Sequence, residues 1–186
     1  MATEHPVGTI TLGELNIINT VRILWMEFIM WSRAFITSVV AGNGDVEAVG
    51  LKLYNIPNDF GNLFSIFFGP QAGYRMEQLF TEQILIGLDI INAQQNNDIE
   101  HVDEATKRFD RNTNEISTYL AQLNPFWDEK VWNDMFAEFA KAKVFETIAI
   151  ATGNFEESIR LSDALQYQAM NMADYMANGI INYVKG

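Results

Sequence analysis

The stretch from Leu15 to Ala41, LNIINTVRILWMEFIMWSRAFITSVVA, limits what this chain can fold into more than any other. Read as one helix, it carries charge only at Arg22, Glu27 and Arg33. Ile17, Ile18, Val21, Leu24, Trp25, Phe28, Ile29, Trp31, Phe35, Ile36 and Val39 spread round the whole wheel at ~100° per residue. A helix that is apolar on every side is buried. The pattern therefore predicts that other helices of the chain, a second copy, or both will cover it. A membrane span is the competing reading, but Glu27 and Arg33 fall near the middle, where a charge in lipid costs about 2.5 to 3.5 kcal/mol. The expectation is a protein helix and no membrane.

The remaining segments repeat the helical theme. Thr11-Leu12-Gly13-Glu14 has the capping-box pattern, and Gly42-Asn43-Gly44 closes the first helix. Asp45 begins a shorter helix to Asn55. Pro57 is expected to break it, with Asn58 and Asp59 capping another short one through Phe68. A helix from Pro70 to about Asn96 carries the stripe Met76, Leu79, Phe80, Ile84 and Ile90. Asp98 caps the next, whose heptad-like seam of Val102, Ala105, Phe109, Ile116, Leu120 and Leu123 is interrupted by the polar Asn112. Asp128 opens a fifth segment with Trp132, Phe136, Phe139, Phe145 and Ile148 as its expected buried face. Asn154 opens the last, with the stripe Phe155, Ile159, Ser162, Gln166, Ala169, Ala173, Met176, Ile180 and Val184.

No sustained alternation or hairpin dipeptide suggests a strand. The fold class is all-α. Short connections near residues 97, 125 and 153 predict an up-and-down bundle of four main long helices plus shorter ones, as a single domain over residues 1–186 with a loose arm at 1–10.

Charge and composition narrow the function. With 24 acidic against 12 basic side chains and a net charge of -12, the surface repels phosphate backbones, so nucleic acid is not an expected partner. The absence of cysteine removes disulfides, thiolate nucleophiles and Cys-ligated metals. The opening MATEHPVGTI has neither the basic nor the apolar region of an export signal, which makes the cytoplasm the expected location.

A carboxylate-bridged metal centre in a helical bundle calls for Glu-x-x-His on two helices. The chain has only His5 and His101, and neither follows a glutamate by three. Asp98-x-x-His101 has metal-pair spacing but stands in an acidic first turn, where such residues serve as caps. Gly42-Asn43-Gly44-Asp45 opens like a phosphate loop, yet no strand precedes it and a helix C-cap accounts for it. Met170, Met172 and Met176 read as core filler.

One pattern recurs. Trp25-Met26-Glu27-Phe28, Phe80-Thr81-Glu82-Gln83 and Phe136-Ala137-Glu138-Phe139 each place an aromatic residue, a glutamate two positions later, then a residue on or beside the buried stripe. On three antiparallel helices these could form one layer, with Glu27, Glu82 and Glu138 ringing Gln83, Asn112 and Arg33. Buried carboxylates there would need pairing, a metal or protonation. The bland alternative leaves the glutamates at the stripe edges, in water.

Leu24-Trp25, Trp31-Ser32-Arg33, Asn58-Asp59, Phe68-Gly69, Leu79 to Glu82, Asn112, Leu123-Asn124-Pro125 and Met172-Ala173-Asp174 through Ile180 together resemble a group of small, uncharacterised bacterial helical-bundle proteins. The likeness runs from about residue 20 to 181. Some members carry an acetylglutamate kinase label, which does not fit a chain without an α/β pattern or glycine-rich phosphate loops. The resemblance implies histidine after each recurring glutamate, a His/Glu set suited to a divalent metal. This chain has Phe28, Gln83 and Phe139 at those places.

Together these readings predict a non-enzymatic binding or structural module, a homodimer through the surplus apolar surface of the first helix, with no cofactor and room for a small ligand. The alternative is a ferritin-like bundle with an internal metal or small-ligand site built on Glu27, Glu82, Glu138 and Gln83. A third is a catalyst using raised-pKa carboxylates.

Overall fold

A computed structural model describes residues 10–186; the N-terminal arm, apart from Ile10, and His5 lie outside the described residues. Among the described residues the structure is all-α. Six helices follow one another: α1 (Leu12–Ala41), α2 (Val46–Phe68), α3 (Pro70–Gln95), α4 (Ile99–Leu123), α5 (Glu129–Ala151) and α6 (Phe155–Lys185). Each packs on its neighbours in sequence, α6 returns to α1, and α1 also reaches α5.

The caps are largely where the sequence puts them. Thr11 and Glu14 form a reciprocal capping box, and Gly42 ends α1 at φ 66°, a left-handed position that suits glycine. Asp98, Asp128 and Asn154 accept hydrogen bonds from the amides of His101, Val131 and Glu157. Asp45 occupies its N-cap position without a side-chain bond.

The expected break at Pro57 does not occur. α2 runs through the proline as one helix of 23 residues, so the two short helices are one. An interior proline costs a helix about 3 kcal/mol. Here Leu53, Ile56, Phe60 and Phe64 keep helical spacing across it and are all buried. Burying each such side chain is worth about 1.5–3 kcal/mol, so packing outweighs the lost backbone bond. Asn58 and Asp59 consequently sit inside a helix instead of capping one. The turn into α3 is the single residue Gly69. Close to it the helices cross tightly: a Cβ on Gly73 would overlap Ser65 Oγ and the Gly61 carbonyl.

Partners across α1 and α6 fall in number on one helix as they rise on the other: Glu14 with Lys185, Arg22 with Asp174, Arg33 with Ser158. These two helices run in opposite senses. The same holds for α3 and α4, where Arg75 meets Glu115, Leu79 meets Asn112, and Asp89 meets Arg108.

α1 supplies Val21, Trp25 and Ile29 to a core that draws on every helix, and Ile36 is buried as well. Among the described residues the all-round apolarity of α1 is only partly covered. Ile17, Leu24, Phe28, Trp31 and Phe35 are partly buried against neighbours, while Ile23 and Met30 remain 58% and 53% exposed. By length and composition α1 could cross a bilayer. In the fold, its two central charges are tied to α2 and α5 through Lys52–Glu27 and Arg33–Glu146.

Two expected stripes hold only in part: Trp132, Phe136 and Phe139 of α5 and Ser162, Ala169, Ala173, Met176 and Ile180 of α6 are buried as expected, but other members face out. Phe145 and Ile148 of α5 are exposed, and Glu146, Thr147 and Ile150 take the inside. In α6, Phe155, Ile159 and Val184 are exposed, whereas Ser158, Leu161 and Leu165 are buried.

Candidate ligand-binding site

The three recurring segments do meet, but through their aromatic ends. Trp25 lies 6.3 Å from Phe80, 6.2 Å from Phe136 and 6.5 Å from Phe139, centroid to centroid. Phe28 stacks on Phe139 at 5.8 Å, and Phe60 of α2 joins Trp25 at 5.5 Å. Positions i and i+3 share a helix face, whereas i+2 does not, so whatever points Trp25 and Phe28 inward points Glu27 away.

The glutamates therefore do not make the shared acidic layer. Glu27 is partly exposed and accepts a hydrogen bond from Lys52 Nζ at 3.2 Å; Glu82 and Glu138 are exposed. Among the described residues no three His, Asp or Glu side chains are placed to hold one metal ion. His101 instead bonds Asp89 through Nε2 at 2.8 Å.

Of the other three singled-out residues, Gln83 and Asn112 are buried and Arg33 is partly buried, each at a separate task. Gln83 Nε2 donates to Thr113 Oγ1 at 3.3 Å, and Asn112 Nδ2 donates to the Leu79 carbonyl at 3.2 Å; both pin α3 to α4. The Asn112 break in the apolar seam is thus a polar stitch. Arg33 crosses to α5 and α6. Its Nη1 donates to Glu146 Oε1 at 2.7 Å and to the Ser158 carbonyl at 3.1 Å, and its Nη2 to Ser158 Oγ at 3.2 Å.

Glu146 is fully buried, and its second oxygen accepts from Lys143 Nζ at 2.8 Å. Lys143 is itself only 16% exposed. Burial pushes its ammonium below the usual lysine value, Glu146 works in the opposite direction, and Arg33 adds to the lowering. This four-residue cluster, Arg33, Lys143, Glu146 and Ser158, is the largest feature that the sequence reading missed, apart from Arg33 itself.

Beside the cluster lies a chamber of about 360 Å³ between α1, α3, α4 and α5. Trp25, Phe28, Phe35, Phe109, Phe136 and Phe139 give it aromatic walls, and Ile84, Leu88 and Ile91 extend them. Its few polar contributors include Ser32, Gln83, Lys143 and Thr147. The hydroxyls of Ser32 and Thr147 are spent on the carbonyls of Ile29 and Lys143. Trp25 is 2% exposed, and its indole N–H has no hydrogen-bond partner among the described residues. Phe28, Gln83 and Phe139 all reach this one chamber. Two phenyl rings and an amide line it where the resemblance would put imidazoles, and phenyl rings cannot ligate a metal.

Comparison with known proteins adds no functional assignment: no family model, no curated protein and no solved structure matches the chain.

Proposed function

We propose that this protein is a non-enzymatic binding module that holds a small, largely apolar molecule in the chamber between α1, α3, α4 and α5. The observation that carries this reading is the chamber's make-up: about 360 Å³, mostly aromatic and aliphatic walls, and a minority of polar groups that includes Lys143. Volume and lining of this kind are what small-molecule sites require. The opposed runs of partners on α1/α6 and α3/α4 fit an up-and-down arrangement of helices, in which ligand sites form between facing helices.

The test uses N-phenyl-1-naphthylamine, a neutral fluorophore that brightens in apolar surroundings. Saturable one-to-one binding is expected. Gly87 supplies the control, because it lines the chamber and a Cβ built on it meets nothing within 4 Å. Gly87→Leu should fill the space, abolish binding and leave the fold intact, since leucine is also the better helix former. Probe binding unchanged in Gly87→Leu, or no saturable binding by the wild type, overturns the reading.

A second reading concerns assembly. The exposed Ile23 and Met30 belong to a groove that also includes Met26 and Ala34 of α1 and Ser162 and Gln166 of α6. We propose that a second copy of the chain covers it through the same face, since one self-complementary patch closes a two-fold dimer. Light scattering after size exclusion should give a dimer, and Met30→Glu a monomer with unchanged helicity. A wild type that is monomeric at micromolar concentration overturns it.

A further inference from the structure

We infer that the ligand of the chamber carries an anionic head group, a carboxylate on an apolar body, and that this head docks against Lys143. The inference rests on the chamber being the binding site and adds the chemistry of what enters it.

Charge within the cluster is unequal. Two cations, Arg33 and Lys143, share the single carboxylate of Glu146, which leaves one positive charge in excess. The carboxylate is engaged on both sides, Oε1 by Arg33 and Oε2 by Lys143. An ammonium has three donors, and Lys143 uses one on Glu146. Of the cluster, Lys143 is the member on the chamber wall.

The other charged residues of the lining, Asp110 and Lys141, are exposed and of opposite sign, so they do not cancel that excess. A wall ammonium with donors to spare selects an acceptor-rich head. The phenyl rings of the chamber select a hydrocarbon or aromatic body.

Burial explains why a carboxylate is favoured over a neutral polar head. The ammonium of Lys143 has lost much of its water, which lowers its pKa, and an anion restores the interaction that water supplied. Hydrogen bonds between ions are roughly twice as strong as those between neutral groups.

The experiment displaces N-phenyl-1-naphthylamine with octanoate, octanol and octylamine at pH 7. These ligands share one chain length and differ in head group. Octanoate should displace the probe at about tenfold lower concentration than octanol, or lower still, as a charge-assisted bond implies. Octylamine should be the weakest. In Lys143→Met the octanoate advantage should vanish while octanol is unaffected, and Lys143→Arg should keep it.

Equal displacement by octanoate and octanol, or a best fit for octylamine, overturns the head-group inference even though the chamber binds. So does an octanoate preference that survives in Lys143→Met. Failure of the probe itself to bind removes the chamber reading and this inference with it. The three-ligand comparison on the wild type needs no variant, so it decides the matter even if Lys143→Met does not fold.

Discussion

Two sides of one chamber bury very different chemistry. On one side Trp25 sits among Phe28, Phe60, Phe80, Phe136 and Phe139, mostly in edge-to-face contacts. On the other, Arg33 and Lys143 close round a fully buried Glu146, and Ser158 holds the far side of the Arg33 guanidinium. The aromatic side is held by shape and by water exclusion, so each ring is stabilising by itself. The charged side is held by pairing, so no member is stabilising without the others. The first resembles a core and the second resembles a site.

The largest expected effect breaks the aromatic side. Trp25→Ala removes a ring that touches five others and should destabilise the protein by about 4 kcal/mol in urea unfolding, in the range for large-to-small changes at tryptophan. A loss below about 1 kcal/mol would mean that the layer collapses onto the gap and is not the rigid wall described.

Breaking the charged side comes next. Glu146→Ala leaves Arg33 and Lys143 facing each other without their shared carboxylate and should cost about 3 kcal/mol, the lower end for a broken buried pair because both cations retain some contact with water. The comparison sharpens when all three charges go together. Arg33→Met, Lys143→Met and Glu146→Met combined should be near neutral in stability, or stabilising, because no charge is then left buried. No corresponding compensation exists on the aromatic side. If the triple variant is as unstable as Glu146→Ala alone, the cluster is structural cement and the contrast fails.

A much smaller effect is expected of Glu82 and Glu138, two of the three glutamates that the sequence pattern singled out. Glu82→Ala and Glu138→Ala should each change stability by no more than about 0.5 kcal/mol, as exposed substitutions do, and should leave probe binding unchanged.

The difference between the two sides also explains what was legible in the sequence. Aromatic residues at i and i+3 announce themselves, and the segments led by Trp25, Phe80 and Phe136 meet as the spacing implies. Their glutamates drew notice for the wrong reason, since a residue two places along a helix faces away from the first. Caps at Thr11, Asp98, Asp128 and Asn154 were readable because capping is local chemistry.

Lys143 and Glu146 were missed through a choice of register. Continuing Trp132, Phe136 and Phe139 by steps of three and four lands on Lys143, Glu146 and Ile150. The apolar Phe145 and Ile148 drew the stripe off that line. Geometry kept the register and left those two side chains outside. The stripe of α6 slipped in the same way, toward Ile159 and Phe155 and away from Ser158 and Leu161. Pro57 erred in the other direction, because a local rule gave way to packing spread over the whole face of α2.

The smallest effect lies outside both sides and tests charge held in the open. Asp89 of α3 accepts from His101 Nε2 and from Arg108 Nη1, each at 2.8 Å, across to α4. The Asp89 carboxylate raises the His101 pKa above its ordinary value, first through the hydrogen bond and then through charge, with Asp98 and Glu104 adding to it. A histidine whose folded pKa is raised stabilises the fold fully below its unfolded pKa, about 6.5, and loses that contribution as pH rises through the folded value. The melting temperature of His101→Ala should therefore fall below wild type at pH 5.5, and the gap should narrow by pH 8.5. Half a molar salt should shrink the gap at pH 5.5, because exposed charges are screened. The loss caused by Glu146→Ala should hardly respond to the same salt, since its partners are largely shielded from it. Equal salt sensitivity of the two variants would mean that the inner cluster is as wet as the outer pair, and its claim to recognise an anion would go with it.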